Sequence, residues 1–228
     1  MLEYTVKLRD TFALHKNEEI AGPMEAYMRD QFAFLGIKSP VRKDIFKQFI
    51  KANGYPAKAE LHTVVRELWE MPEREMQYSA LGLVDGWLKK LEESDHELLE
   101  YMVVNKSWWD TIDHIASNHA GKLFRLYPHL IETVGKRWRE SENFWLRRIM
   151  ILFQLKDKGN TNKELLYEII EENLGSNEFF INKAIGWALR EYAKTNPEWV
   201  VETADKLDLA PLSRREALKN IKDNSMKV

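Results

Sequence analysis

The sequence contains no cysteine among its 228 residues. Disulfides, thiolate zinc sites and cysteine nucleophiles are therefore excluded, and a reducing compartment suits the protein. The sequence also lacks any apolar run near the roughly 20 residues that span a bilayer. Its charged start, MLEYTVKLRD, does not read as a signal peptide. These absences predict a cytoplasmic protein with no membrane partner.

The net charge of −2, taken alone, argues against a nucleic-acid partner. The charges are unevenly distributed, however. Residues 60–100 contain eleven Asp and Glu against four Lys and Arg, whereas residues 136–158 contain seven Lys and Arg against three Asp and Glu. A local basic stripe can hold DNA because phosphate contacts act at short range. Ordinary solvated faces explain the same counts, so this asymmetry permits DNA binding without requiring it.

Helix signals recur along the chain, and strand patterns are almost absent. Ser39-Pro40 and Asn196-Pro197 each place a capping side chain before a proline suited to the first helical turn. Asn53-Gly54 follows a helical pattern and predicts a helix C-cap. Four pairs fit the capping-box pattern, namely Ser94 with Glu97, Ser107 with Asp110, Thr161 with Glu164 and Ser213 with Glu216. The sequence therefore predicts an all-α fold.

The predicted helices form a repeat. Similar amphipathic stretches begin near Met76, Trp109, Trp145 and Phe180, at spacings of 33, 36 and 35 residues. Second helices are predicted between them, at 96–104, 129–139 and 163–174. Helix pairs at this period are typical of a solenoid whose repeats bury their apolar faces by stacking. We expect one HEAT-like domain over residues 1–228, with a helical cap at 1–60, repeats at 61–228 and a concave DNA-binding groove.

The helix that begins at Phe180 carries two different stripes. Its core stripe consists of Ile181, Ile185, Ala188 and Tyr192. A second stripe, two residues out of phase, consists of Lys183, Trp187, Arg190 and Lys194. The cations of this second stripe suit phosphates, and the indole offers a flat surface to a nucleotide. Packing of Trp187 against a neighbouring repeat explains the pattern equally well from this helix alone.

The helix that follows Ser107 favours the functional interpretation. Trp109 and Asp113, at positions i and i+4, share one edge of that helix. Trp145 and Arg148 lie at i and i+3 in the next repeat. If these edges face a common groove, a carboxylate lies among cations and aromatic rings. That arrangement could stabilise a positively charged transition state beside a bound polyanion.

Several segments closely resemble the AlkD-type DNA alkylation-repair glycosylases. They are RELWEMPERE (66–75), KSWWDTID (106–113), WLRRIMILFQLK (145–156), EFFINKAIGWALREYAKTNP (178–197) and LAPLSRREALKNI (209–221). The resemblance covers essentially the whole chain, and the segments agree in order and spacing. It implies a HEAT-like repeat enzyme that excises N3- and N7-alkylpurines from double-stranded DNA without a metal or other cofactor.

The resemblance also implies roles for individual residues. Asp113 matches the catalytic carboxylate, while Trp109 and Trp187 match the aromatic pair that holds the lesion's deoxyribose. Arg148 matches an arginine that contacts the DNA backbone. Further positions in or beside the DNA-binding groove are Arg190, Lys156, Lys183, Lys194, Tyr27 and Lys38, the last where relatives more often carry glutamine.

This chemistry agrees with a single carboxylate. An alkylated purine already carries a positive charge, so its departure needs no general acid, whereas glycoside hydrolases generally use two carboxylates. Asp113 can stabilise the oxocarbenium-like transition state and position water. We expect a monofunctional glycosylase, because the Trp109–Asp113 turn contains no lysine for a Schiff base, although Lys183 stays open as a nucleophile.

Other interpretations are weaker. His114 and His119, five residues apart, do not share the face of an α-helix, which makes a metal site improbable. The main alternative function is a non-catalytic HEAT-like protein that binds unusual DNA structures or serves as a scaffold. We expect a monomer that needs no protein partner and associates with the nucleoid through DNA.

Overall fold

The computed structural model describes residues 1–221, so the end of the predicted repeat array, 222–228, lies outside the described residues. The described part is all-helical, as the sequence predicts. It contains no β-strand, and its only strand-like pairing is an isolated bridge between Ala33 and Glu73. None of the helices in residues 1–221 has both the length and the apolar character needed to cross a bilayer.

Contacts within the chain divide it into two compact units, the first being Met1–Leu91 and the second beginning at Glu92. The expected organisation as one HEAT-like domain, with a cap at 1–60 and repeats at 61–228, stays a prediction. The first unit consists of α1 (Glu3–Ala13), α2 (Glu18–Tyr27), α3 (Ser39–Asn53), α4 (Lys58–Glu70), α5 (Arg74–Trp87) and a 3₁₀ turn at Leu88–Lys90. Its α4 packs against α5, and α1 packs against α3 and α4.

The second unit contains the predicted helices that begin near Trp109, Trp145 and Phe180. Its helices are α6 (Asp95–Val104), α7 (Trp109–His114), α8 (Gly121–Leu126), α9 (Lys136–Arg139), α10 (Phe144–Leu152), α11 (Lys163–Glu172), α12 (Phe179–Tyr192), α13 (Pro197–Lys206) and α14 (Pro211–Leu218). The π-helical segment Ile115–Ala120 joins α7 to α8, and a second one, Ile131–Gly135, leads into α9. The helix α12 packs against both α10 and α14.

The predicted helix starts agree with the structure to within two residues. The starts expected near Met76, Trp109, Trp145 and Phe180 correspond to α5, α7, α10 and α12. Gly54 ends α3 with a φ of 74°, as the C-cap prediction requires, and the Asn196 side chain accepts a hydrogen bond from the Trp199 amide at the start of α13. Amphipathic periodicity therefore located the helices well.

The capping-box predictions were wrong. Ser94 makes no capping bond, Ser107 donates to the Val103 carbonyl, Ser213 donates to the Asn182 carbonyl, and Asn162 rather than Thr161 caps α11. Ser39 lies inside α3, one residue after the N-cap. Ser and Thr hydroxyls bond readily to carbonyls of nearby turns and of other helices. The pattern alone does not show which of these partners is nearest.

A buried glutamate organises the loop that precedes α3. Glu75, on α5, is fully buried and accepts hydrogen bonds from the backbone amides of Leu35, Gly36 and Ile37 at 3.0–3.1 Å. Gly36 has a φ of 84°, and a Cβ there would lie 2.0 Å from the Asn17 carbonyl oxygen. This loop leads directly into Lys38, one of the expected DNA-binding residues.

Candidate active site

Asp113 lies at the end of α7, and its side chain is largely enclosed. The helix begins at Trp109 after an extended Trp108, so Trp109 and Asp113 lie one turn apart on it. The Asp113 side chain is 18% exposed. Its carbonyl accepts a hydrogen bond from Ser117 Oγ at 2.9 Å, at the start of the π-helical segment. Local wide turns of this kind are frequent at functional sites.

The carboxylate of Asp113 is held by Arg148 in a bidentate ion pair. Arg148 Nε donates to Oδ1 at 2.8 Å and Nη2 donates to Oδ2 at 3.0 Å, while Nη1 donates to the Phe180 carbonyl. The Arg148 side chain is only 3% exposed. The resemblance implies a DNA-backbone contact for Arg148, but the structure gives its guanidinium protein partners on three nitrogens. The DNA contact stays a prediction, and in this structure Arg148 orients Asp113.

Two opposing effects act on the pKa of Asp113. Burial is the larger and raises the pKa above the ordinary value for aspartate, because a carboxylate loses hydration there. The charge and hydrogen bonds of Arg148 work in the other direction and favour the ionised form. The result is a carboxyl group whose charge depends on its arginine partner.

Asp113 opens into a cavity of about 300 Å³. The cavity brings together six of the predicted site residues and two phenylalanines, namely Trp109, Asp113, Arg148, Lys183, Trp187, Arg190, Phe179 and Phe180. The volume is at the lower end of the range for small-molecule sites. Both indoles and the carboxylate therefore share one small cavity, of whose lining residues half are aromatic and half are charged.

Phe179 and Phe180 were missed by the sequence reasoning. They begin α12, and Phe179 is 57% exposed although it lines the cavity. An exposed large aromatic residue beside charged groups is a recognisable signal. From the sequence pattern alone, the Phe-Phe pair predicts only the start of an amphipathic helix.

Trp145 is buried and does not lie at the edge of a groove, where its helical spacing with Arg148 had placed it. It is 8% exposed and packs on Phe180 and Phe144, with ring centroids 4.9 and 4.6 Å away, and lies 6.2 Å from the Trp108 ring. This aromatic cluster supports the cavity wall, since Phe180 belongs to both. Helical spacing assigned Trp145 to an edge, but a neighbouring helix covers that edge.

The two cations of α12 that line the cavity share one carboxylate. Lys183 Nζ lies 2.8 Å from Glu216 Oε1, and Arg190 Nη1 donates to Glu216 Oε2. The hydrogen bond and charge of Lys183 lower the pKa of Glu216 the most, and those of Arg190 lower it further. Glu216, on α14, was expected only as part of a capping box. This group of Lys183, Arg190 and Glu216 forms only through the packing of α14 on α12, so the position of Glu216 in the sequence does not predict it.

The other expected DNA-binding lysines of this unit are exposed. Lys156 Nζ donates to Asn118 Oδ1, and Lys194 Nζ lies 2.7 Å from Glu191 on the same helix. Lys194 is 62% exposed. Neither residue lines the cavity around Asp113, so any DNA contact by them falls outside it.

Tyr27 and Lys38 line a different cavity, within the first unit. This cavity measures about 420 Å³ and has an apolar wall that includes Met24, Met28 and Phe34. Tyr27 is 71% exposed, and Lys38 is also exposed. The structure thus brings these two predicted residues together with each other.

His114 and His119 correct one sequence argument. Their rings meet edge to face with centroids 5.0 Å apart. They were expected not to share a face because five residues separate them, which holds for an α-helix. A π-helix has wider turns with i→i+5 hydrogen bonds, so residues five apart lie closer to one face than in an α-helix, and the segment Ile115–Ala120, which follows His114 and contains His119, has that geometry. The separation in sequence therefore does not keep the two rings apart.

Comparison with known proteins identifies the family. The sequence model of the DNA alkylation repair enzymes matches residues 8–221. The chain belongs to the DNA alkylation repair enzyme family.

A solved structure of this family's fold is similar over nearly the whole chain. The protein, described as a predicted DNA alkylation repair enzyme from Enterococcus faecalis, is 36% identical, with a TM-score of 0.85 over 91% of this chain and 97% of that chain. No curated protein matches the sequence. Membership in the DNA alkylation repair enzyme family supports a role in DNA repair and an alkylated DNA substrate.

Proposed function

We propose that the protein is a monofunctional DNA glycosylase that hydrolyses the N-glycosidic bond of N3- and N7-alkylated purines in duplex DNA. The observation that carries this proposal is the shared cavity of Asp113, Trp109 and Trp187, with Asp113 gripped by Arg148. The family match supports alkylated DNA as the substrate, and the residues that line the cavity support the proposed chemistry.

The reaction needs charge stabilisation more than proton donation. As the bond between C1′ and the purine nitrogen breaks, its electron pair passes to the cationic base, which leaves neutral. Positive charge then develops on the sugar, where an ionised Asp113 would be most stabilising. A water molecule adds to C1′ and gives its proton to the Asp113 carboxylate. One carboxylate is sufficient because the leaving group is already activated.

The two indoles suit the same transition state. An aromatic face attracts positive charge through its quadrupole, with an energy of about 0.5–2 kcal/mol depending on desolvation. Trp109 and Trp187 are half-buried and both line the cavity. Flat rings on the two sides of a sugar would also hold it in place against Asp113.

Cationic residues would hold the DNA backbone. Lys183 and Arg190 line the cavity, whereas Lys156, Lys194, Tyr27 and Lys38 lie elsewhere on their units. Arg148 would orient the Asp113 carboxylate, and any contact that it makes to the DNA backbone would lie next to Asp113. Phosphate contacts of this kind fix register without reading sequence.

The contacts of Lys183 favour simple hydrolysis over a lyase reaction. A Schiff-base nucleophile must be a neutral amine. Lys183 Nζ lies in an ion pair with Glu216, an arrangement that suits an ammonium group. We therefore expect the product to be an abasic site in an uncut DNA strand, which is the product of the first step of base excision repair. We further expect a cytoplasmic monomer that acts without a metal, a cofactor or a protein partner.

Replacement of Asp113 by asparagine tests the proposal. Asp113→Asn keeps the shape of the side chain and removes its charge, so release of 7-methylguanine from methylated duplex DNA should fall by at least about 100-fold. Binding to the same DNA should persist, because Asp113 does not grip phosphate. Chromatography of the free base and an equilibrium binding assay measure the two quantities.

Asp110→Asn is the matched control, since it removes the same charge one turn earlier on α7. It should retain most of the release activity. Equal release by the wild type and Asp113→Asn would refute the mechanism. Binding by the wild type with no release of any alkylbase would instead favour the non-catalytic alternative.

A further inference from the structure

Glu216 lies in an unusual position for an acidic residue in a DNA-binding protein. It is 9% exposed, and its carboxylate bonds both cations of α12 that line the cavity. Lys183 and Arg190 are seven residues apart, about two helical turns, with Trp187 between them. A single buried carboxylate thus joins the two positive groups that flank the indole.

The approach of α14 to α12 makes this geometry possible. A Cβ on Gly186 would lie 2.5 Å from Glu216 Cβ and 2.9 Å from the Ser213 carbonyl oxygen. Only glycine allows α14 to pack this closely, next in sequence to Trp187. The same contact is fastened by Ser213 Oγ, which donates to the Asn182 carbonyl at 2.8 Å. Glu216 is therefore anchored on a tightly packed helix and is not a mobile surface group.

The charges around the cavity nearly balance. Asp113 is paired with Arg148, and Glu216 neutralises one of the two positive charges of Lys183 and Arg190. A phosphate that approaches either cation must compete with the Glu216 carboxylate. The Lys183 side chain is 39% exposed and the Arg190 side chain 23%, so both can still be reached from solvent.

We propose that Glu216 is a positioning residue, which holds Lys183 and Arg190 in place beside Trp187 and restrains their grip on undamaged DNA. The inference rests on the proposed glycosylase function for its catalytic part. Fixed cations place the backbone, and with it the sugar, accurately against Asp113. Because Glu216 competes with phosphate for Lys183 and Arg190, the protein binds less tightly to undamaged DNA, which is present in large excess. Glu216 thereby lowers the affinity for undamaged DNA and improves the positioning of the sugar at Asp113.

The test is Glu216→Gln, which keeps the size of the side chain and removes its charge. Binding to undamaged duplex should become tighter, and its salt dependence steeper by about 1 to 2 in log–log slope, because each new phosphate contact adds roughly 0.9. The single-turnover rate of 7-methylguanine release at saturating enzyme should fall about tenfold, because small displacements of the reacting groups are costly. Binding and excision therefore change in opposite directions.

Glu202→Gln is the control for net charge. Glu202 lies on α13 and makes an exposed ion pair with Lys206 at 3.9 Å. Its replacement should leave both the salt slope and the excision rate near wild-type values. A second variant, Glu216→Asp, keeps the charge but shortens its reach, so excision should slow while affinity for undamaged duplex changes little. It also serves if Glu216→Gln does not fold.

Unchanged excision by both Glu216 variants would overturn the proposal. So would a parallel fall in binding and excision that follows a lower melting temperature, since that outcome indicates a purely structural role. Failure of the wild type to release alkylbase would count against the glycosylase function. In that case the binding measurement alone still decides whether Glu216 restrains the two cations.

Discussion

The cavity around Asp113 and the cavity lined by Tyr27 and Lys38 differ in how their polar side chains are held. In the second unit, Asp113 and Arg148 are 18% and 3% exposed and bonded to each other. In the first unit, Tyr27 is 71% exposed, and the Lys38 cavity has a wall of methionine and phenylalanine. Buried charges are costly unless they are paired and hydrogen-bonded. Exposed side chains carry no such cost, which suits contacts that form only when DNA is present.

The difference separates two physical tasks. A paired carboxylate in a small aromatic cavity suits stabilisation of a developing charge, where its orientation must be fixed before the reaction. Exposed side chains beside an apolar cavity suit contacts to a DNA backbone. Substitutions of the paired residues Asp113 and Arg148 should therefore change the rate of excision, and those of the exposed Tyr27 and Lys38 should change the affinity for DNA.

After Asp113→Asn, the largest effect is expected for Arg148→Met. Loss of the guanidinium removes the influence that keeps Asp113 ionised against burial, so excision at neutral pH should fall roughly 100-fold. Because burial raises the pKa of Asp113, wild-type activity should be lost as pH falls through a range above that of ordinary aspartate. In Arg148→Met that range should move higher still, so that activity recovers partly at alkaline pH.

A pH profile of single-turnover excision measures this prediction, with the melting temperature as a check on folding. An acidic limb at the same pH in Arg148→Met and the wild type would show that Arg148 does not control the charge of Asp113.

An intermediate effect is expected for Trp187→Ala. Loss of the aromatic face should slow excision by about 2–30-fold, corresponding to a cation–π energy of roughly 0.5–2 kcal/mol. Trp145→Phe is the matched control, because Trp145 is buried in the aromatic cluster and should affect the melting temperature more than the rate. The opposite order of effects would place the functional indole in the cluster.

The smallest effect is expected for Lys38→Ala. The affinity for duplex DNA should fall a few-fold, and the log–log salt slope should decrease by about 0.9, the value for one phosphate contact. Lys7→Ala, which removes an exposed lysine paired with Glu3 at 2.7 Å, should leave the slope unchanged. A loss of excision rate larger than the loss of affinity in Lys38→Ala would contradict the separation of tasks between the two cavities.

The sequence by itself determined the helices and most of the cavity. The 3.6-residue period located α5, α7, α10 and α12, and it paired Trp109 with Asp113 on one helix edge. It also separated Trp187 and its cations from the core residue Ile185, which is 1% exposed. These results depend only on local geometry, because residues three and four apart on a helix must share a face.

Only the tertiary structure decided which neighbour each face meets. It buried Trp145, turned Arg148 toward Asp113 and joined Lys183 to Arg190 through Glu216. It also gave the capping-box serine Ser213 a carbonyl partner on another helix. Periodicity describes one helix at a time, whereas burial and charge pairing depend on close packing between helices, here on the contact that Gly186 permits.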